Sequence, residues 1–254
     1  MAPLIVRPEY RALLRSALIG IGTAALGLLA VSWCLGQRLQ LSGWFVLKSE
    51  LLFTAGALLL LRALPRYHPF TTLGAANHTT TIRGALIALL AALIGEHAAA
   101  PFASIAVMLA LLVTLLDGLD GQLARRTGMV STLGARFDME SDAVFVAVLS
   151  VLAWQFDKVG PWVLLSGLMR YLFAAAAVCI PLLRQPVPSS YRGKTIAVLQ
   201  MLALIVALAP GCPRALSTRV AALALSALAL SFALDIFGLR QSQDAGRDAQ
   251  EGIA

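Results

Sequence analysis

The chain has 254 residues, 59% of them hydrophobic and only 13% charged, with a mean hydropathy of +0.82 and a formal charge of +7. Soluble domains carry about 25% charged residues, so this composition excludes an ordinary soluble protein and points to an integral membrane protein. Apolar runs of helical length exclude a β-barrel, whose strands alternate over short segments. Basic residues without interleaved aromatics give no support to a nucleic-acid partner.

From the N-terminus, Arg7, Arg11 and Arg15 precede an apolar run over residues 16–35. The run is of spanning length and lacks a small-residue cleavage site, so it reads as a retained first span and not a signal peptide. Trp33 before Cys34 argues against a lipoprotein anchor. A second span follows over 44–64, and Gly20, Gly22 and Gly27 of the first read as helix-packing positions. Residues 1–64 thus form an N-terminal extension with two transmembrane helices, and Pro65, Pro69 and the polar run after them mark a linker over 65–79. Six further spans are predicted at 80–98, 102–125, 133–156, 160–183, 193–210 and 218–237, a core over 80–238, with a polar, disordered tail over 239–254. The expected fold class is all-α: a polytopic membrane helix bundle, six core spans preceded by two extra ones. Cys34, Cys179 and Cys212 are isolated, with no zinc spacing, and His68, His78 and His97 are scattered and read as structural.

Two core spans have short apolar parts, residues 102–116 and 143–154, and reach the ~20 residues needed to cross ~30 Å only by including polar turns. Those turns hold Asp117, Asp120, Asp138, Glu140 and Asp142, five of the chain's thirteen acidic residues within 26 positions. On one helix Asp117 and Asp120 (i, i+3) share a face with Gly121 and Ala124 beside them; on the next, Asp138 and Asp142 (i, i+4) share a face one turn after Gly134. Glu140 points away from that line. Four facing carboxylates repel unless cations lie between them, and hard divalent ions take carboxylate oxygens while keeping positions open for phosphate. The pattern points to a di-metal site for a nucleotide diphosphate at the ends of membrane helices.

The stretch Asp117-x2-Asp120-Gly121-x2-Ala124-Arg125-x8-Gly134-x3-Asp138-x3-Asp142 resembles the signature of the CDP-alcohol phosphotransferase family at all eight fixed positions. Upstream, Asn77, Thr80 and Arg83 resemble the Asn-x-x-Thr-x-x-Arg that often opens the family core. The resemblance implies displacement of CMP from a CDP-linked donor, here CDP-diacylglycerol, by an alcohol hydroxyl. It implies two Mg²⁺ or Mn²⁺ ions held by Asp117, Asp120, Asp138 and Asp142, with Asp142 as the catalytic base. Gly121, Ala124 and Gly134 make room for the cytidine, and Arg125 neutralises phosphate or pairs with an aspartate. A homodimer is expected on the same ground.

With the N-terminus in the cytoplasm, fourteen basic residues fall on the cytoplasmic side and five opposite, which sets the acidic motif on the cytoplasmic face, in bacteria that of the inner membrane. Arg170 lies inside a span and needs an anion or the bundle interior. Arg170 with Arg192 and Lys194 suits a phosphorylated acceptor, glycerol 3-phosphate first and inositol phosphate second, and Arg136 offers further charge. Ala143, where such members often carry Lys or Arg after the last aspartate, leaves an unphosphorylated acceptor (serine, choline or a polyol) open. The competing class, a non-enzymatic transporter or assembly protein, should show midplane polar residues and broken helices in paired repeats, and neither is present.

Overall fold

Long runs of Leu and Ala, both strong helix formers, account for the helices. A computed structural model of the protein describes residues 8–67, 70–96, 100–127, 131–180 and 191–251. Among these the regular structure is eight α-helices and one 3₁₀ turn, with no strand: α1 (Pro8–Leu39), α2 (Trp44–Tyr67), α3 (Ala75–Ala92), α4 (Ala100–Thr127), α5 (Thr132–Gln155), the 3₁₀ turn Pro161–Val163, α6 (Leu164–Cys179), α7 (Tyr191–Leu208) and α8 (Arg214–Glu251). Among the described residues, four segments are long and apolar enough to cross a membrane, Tyr10–Leu39, Trp44–Pro65, Phe102–Leu123 and Arg214–Gly238. Their outer faces are apolar: Leu26 and Leu115 are about two-thirds exposed, which suits lipid and not water. The fold is an all-α membrane helix bundle.

Two compact units divide the chain, residues 1–148 and 149–254. In the first, Leu13 and Ala17 of α1, Leu60 and Leu64 of α2, Leu73 before α3 and Leu133 of α5 form one buried cluster, with Phe137 packed against it. The two extension helices therefore support the first turn of the helix that carries Asp138 and Asp142. A buried polar clamp joins the same segments: Glu96, after α3, accepts hydrogen bonds from the Ser42 backbone N–H (2.9 Å), the Ser42 hydroxyl (2.6 Å) and the Lys48 ammonium (2.8 Å). Burial alone would raise the Glu96 carboxyl, but these donors outweigh it and hold the group below its ordinary 4.5. Gly20 is a true packing position, because a Cβ there would lie 2.4 Å from the His78 ring, whereas Gly22 and Gly27 have nothing within 4 Å.

In the second unit, Lys158 donates to the carbonyls of Ala209, Pro210 and Cys212 at 3.0–3.3 Å and so holds the turn between α7 and α8. Phe173 of α6 meets Phe232 of α8 with ring centroids 5.4 Å apart.

Two segments differ from the sequence expectation. The linker ends early: Gly74 adopts φ 79°, a conformation that favours glycine, and α3 begins at Ala75. Thr79, Thr80 and Thr81 then fit the helix because each hydroxyl donates to the carbonyl four residues back, at 3.1, 3.0 and 2.8 Å. At the other end, α8 continues to Glu251, where the polar stretch was expected to be disordered. Between residues 239 and 251 there is no proline or β-branched residue, and Gly246 is the one poor helix former, a cost of about 1 kcal/mol that does not by itself end a helix.

Candidate metal and nucleotide site

The site is assembled from α3, α4 and α5 of the first unit. The helix α4 runs unbroken through Asp117 and Asp120, and α5 through Asp138 and Asp142, so both polar turns are helical as their spacing predicts; α4 carries a candidate span, and α5 is not one of the four. Ser131 starts α5 by accepting the Gly134 N–H on its hydroxyl at 3.0 Å, an N-cap that orders the turn ahead of Asp138.

One guanidinium stands among the four carboxylates. Arg83, only 1% exposed, reaches in from α3. Its Nη1 donates to Asp117 Oδ1 and, at 2.8 Å, to Asp120 Oδ2. Its Nη2 donates to Asp138 Oδ1 at 2.5 Å and to Asp142 Oδ1 at 3.3 Å. Thr80 Oγ1 lies 3.1 Å from Asp120 Oδ2 and 3.0 Å from the Ala76 carbonyl, so its one proton is shared between them. Four carboxylates against one described guanidinium leave the site strongly negative, which suits added cations.

The donor set fits a divalent metal. One oxygen from each of Asp117, Asp120 and Asp138 lies within 4.8 Å of the others, and an all-carboxylate set is what a hard ion such as Mg²⁺ prefers. Asp142 is not part of that trio; its contact with Arg83 is the longest of the four side-chain pairs.

Gly134 is where α3 and α5 approach each other. A Cβ there would sit 3.2 Å from Asn77 Oδ1 and 3.3 Å from Ser131 Oγ. Asn77 is itself fixed, donating from Nδ2 to the Leu73 carbonyl at 2.6 Å. Gly121 follows Asp120 on α4, and the side chains of Ala124 and Arg125 lie outside the described residues.

Arg136 and Glu140 belong to the opposite flank of α5. They line an apolar groove of about 440 Å³ between α2, α3 and α5, together with Leu52, Leu59, Ile87 and Val144. Positions 136, 140 and 144 recur every four residues on a face turned away from 138 and 142, so the groove is not the carboxylate site. Arg170, Arg192 and Lys194 lie in the second unit: Arg170 is half-buried on α6, Lys194 is exposed on α7, and Arg192 pairs with Asp235 of α8 at 2.5 Å.

The family model for CDP-alcohol phosphatidyltransferase matches residues 73–234, well over half of the chain, from just before Asn77 to within α8. The chain belongs to that family. This CDP-alcohol phosphatidyltransferase is therefore an enzyme, a membrane transferase of substituted phosphate groups that acts in phospholipid synthesis. Members depend on divalent metal and pass the group from a CDP-alcohol to an acceptor alcohol. No curated protein and no solved structure matches the chain.

The role of Arg83 is not legible from the motif alone. The Asn77-x-x-Thr80-x-x-Arg83 spacing is the signal that points to it, since steps of three align these polar side chains along one side of α3.

Proposed function

We propose that this CDP-alcohol phosphatidyltransferase moves the phosphatidyl group of CDP-diacylglycerol onto a phosphorylated alcohol, glycerol 3-phosphate first and inositol phosphate second, and releases CMP. The observation that carries the reading is the convergence of four carboxylates from two helices on one point. Asp117, Asp120 and Asp138, with Asp142 at the edge, are the residues to hold two Mg²⁺ or Mn²⁺ ions. Bound metal supplies positive charge that neutralises the diphosphate and the leaving CMP.

The acceptor oxygen bonds to the phosphatidyl phosphorus while the bond from that phosphorus to the CMP oxygen breaks. The hydroxyl proton passes to Asp142, whose weaker hold on Arg83 and partial exposure of 34% support the assignment as base. Gly121 and Ala124 are the positions to admit the cytidine, and Arg125 is the residue to neutralise phosphate or pair with an aspartate; at Gly134, also assigned to the cytidine by the resemblance, Asn77 and Ser131 lie close. The basic residues Arg170, Arg192 and Lys194 take the acceptor phosphate. The charge asymmetry between the two sides supports a cytoplasmic active site in a bacterial inner membrane, and the family resemblance supports a homodimer.

An unphosphorylated acceptor is the second reading, and two observations favour it. Ala143 is buried directly after Asp142, and Arg192 is already engaged by Asp235. CMP release from CDP-diacylglycerol and Mg²⁺ with a panel of alcohols decides between them. Preference for glycerol 3-phosphate or inositol phosphate is the expected outcome; preference for serine, choline or a polyol overturns it.

A further inference from the structure

Arg83 stands out in the molecule: a side chain 1% exposed that touches all four aspartates of the motif, two through each terminal nitrogen. It comes from α3, whereas its partners come from α4 and α5. The planar guanidinium divides the work by geometry, with Nη1 on the α4 pair and Nη2 on the α5 pair. A lysine ammonium is a single point charge and lacks that fork.

The oxygens Arg83 holds belong to the same carboxylates that suit a divalent ion. Mg²⁺ demands oxygens at about 2.0–2.1 Å in near-octahedral array. A cation so close to the carboxylates lies against the guanidinium, and the two positive charges repel. Conversely, four partly buried carboxylates with neither cation repel one another, and a buried ionic partner removed alone is costly.

We propose that Arg83 is a built-in counter-cation: it gathers the α4 and α5 carboxylates before metal arrives and yields their oxygens to the entering ions. Metal binding is then an exchange of one positive charge for others. This rests on the metal reading above. It predicts that Arg83 stabilises the metal-free protein and weakens metal binding at the same time, a pairing of effects that a merely structural arginine does not produce.

The test uses the full chain in detergent, wild type beside Arg83→Gln and Arg83→Lys, with Mn²⁺ as the probe. Thermal unfolding is followed in chelator and in saturating Mn²⁺, and Mn²⁺ affinity is read by electron paramagnetic resonance. In chelator, Arg83→Gln should lower Tm by about 10 °C, the scale for an unpaired buried charge cluster in a chain of this size. Saturating Mn²⁺ should restore most of that loss. The Mn²⁺ Kd should tighten by about tenfold, because no guanidinium competes. Arg83→Lys should fall between the two on both readouts, and it alone decides if Arg83→Gln does not fold under either condition. Equal Tm loss with and without Mn²⁺, or weaker Mn²⁺ binding in the variants, overturns the proposal and leaves the metal site standing. A wild type that binds no Mn²⁺ beyond an Asp138→Asn control overturns both.

Discussion

Arg83 Nη1 and Asp120 Oδ2 meet at 2.8 Å with both side chains nearly buried, 1% and 7% exposed. Asp138, by contrast, is 43% exposed where it meets the same guanidinium. Two aspartates of one motif therefore differ in what they do for the fold. Asp117→Asn, Asp120→Asn, Asp138→Asn and Asp142→Asn should each cut CMP release by on the order of 10³-fold, the several kcal/mol a metal site contributes. Only Asp120→Asn should also lower Tm clearly, because Asp120 is the one buried carboxylate of the four and its charge is lost where water cannot replace it beside Arg83 and Thr80. Retained activity in both Asp117→Asn and Asp138→Asn sinks the metal assignment; chelator should mimic the substitutions, reversibly with Mg²⁺ or Mn²⁺.

For the acceptor, Arg170→Ala or Lys194→Ala should raise its KM about tenfold to a hundredfold, with little change in CDP-lipid affinity, as a charged hydrogen bond of about 1.5–3 kcal/mol implies. Arg192 differs because Asp235 already holds it. If Asp235→Asn reproduces the kinetic effect of Arg192→Ala, the ion pair positions the arginine; if Arg192→Ala alone changes KM, the arginine serves the acceptor directly.

The Glu96 clamp gives a pH-dependent stability. Its folded carboxyl lies below the ordinary 4.5, so the contribution is fully present above 4.5 and disappears as pH falls through the lower, folded value. Glu96→Gln should lower Tm by about 5 °C at neutral pH, the equivalent of roughly 2 kcal/mol. The gap to wild type should close in acid. A gap that stays constant below pH 4.5 would mean that packing, and not charge, holds this loop.

Gly134→Ala tests the contact between α3 and α5. Alanine is the better helix former by about 1 kcal/mol, yet the new Cβ would press on Asn77 Oδ1 at 3.2 Å and Ser131 Oγ at 3.3 Å. Both neighbours are tied by their own hydrogen bonds, so neither gives way freely. The substitution should lower Tm by about 3 °C, and combining it with Asn77→Ala should cost less than the sum of the two. Strict additivity would show that Asn77 and Gly134 do not press on each other.

Much of this was local and therefore legible. Spacings of three and four residues put Asp117 with Asp120 and Asp138 with Asp142, and the short apolar stretches beside them required both turns to be helical. Boundaries were less legible: Asn77, His78 and Thr79 read as the end of a linker, yet the helix already includes them, with the Thr79 hydroxyl bonded to the Ala75 carbonyl.

By itself the sequence determined the class, the apolar helices and the carboxylate pairs, because hydropathy and helical periodicity act over neighbouring residues. Only the tertiary structure decided that Arg83 stands among those pairs, that Asn77 closes against Gly134, and that the extension packs under α5. These contacts join residues far apart in the chain, 34 to 59 positions for Arg83 and its aspartates. No local preference distinguishes an arginine facing lipid headgroups from one turned inward. The difference is made by which helices pack together, and by the cost of burying a guanidinium without its carboxylates.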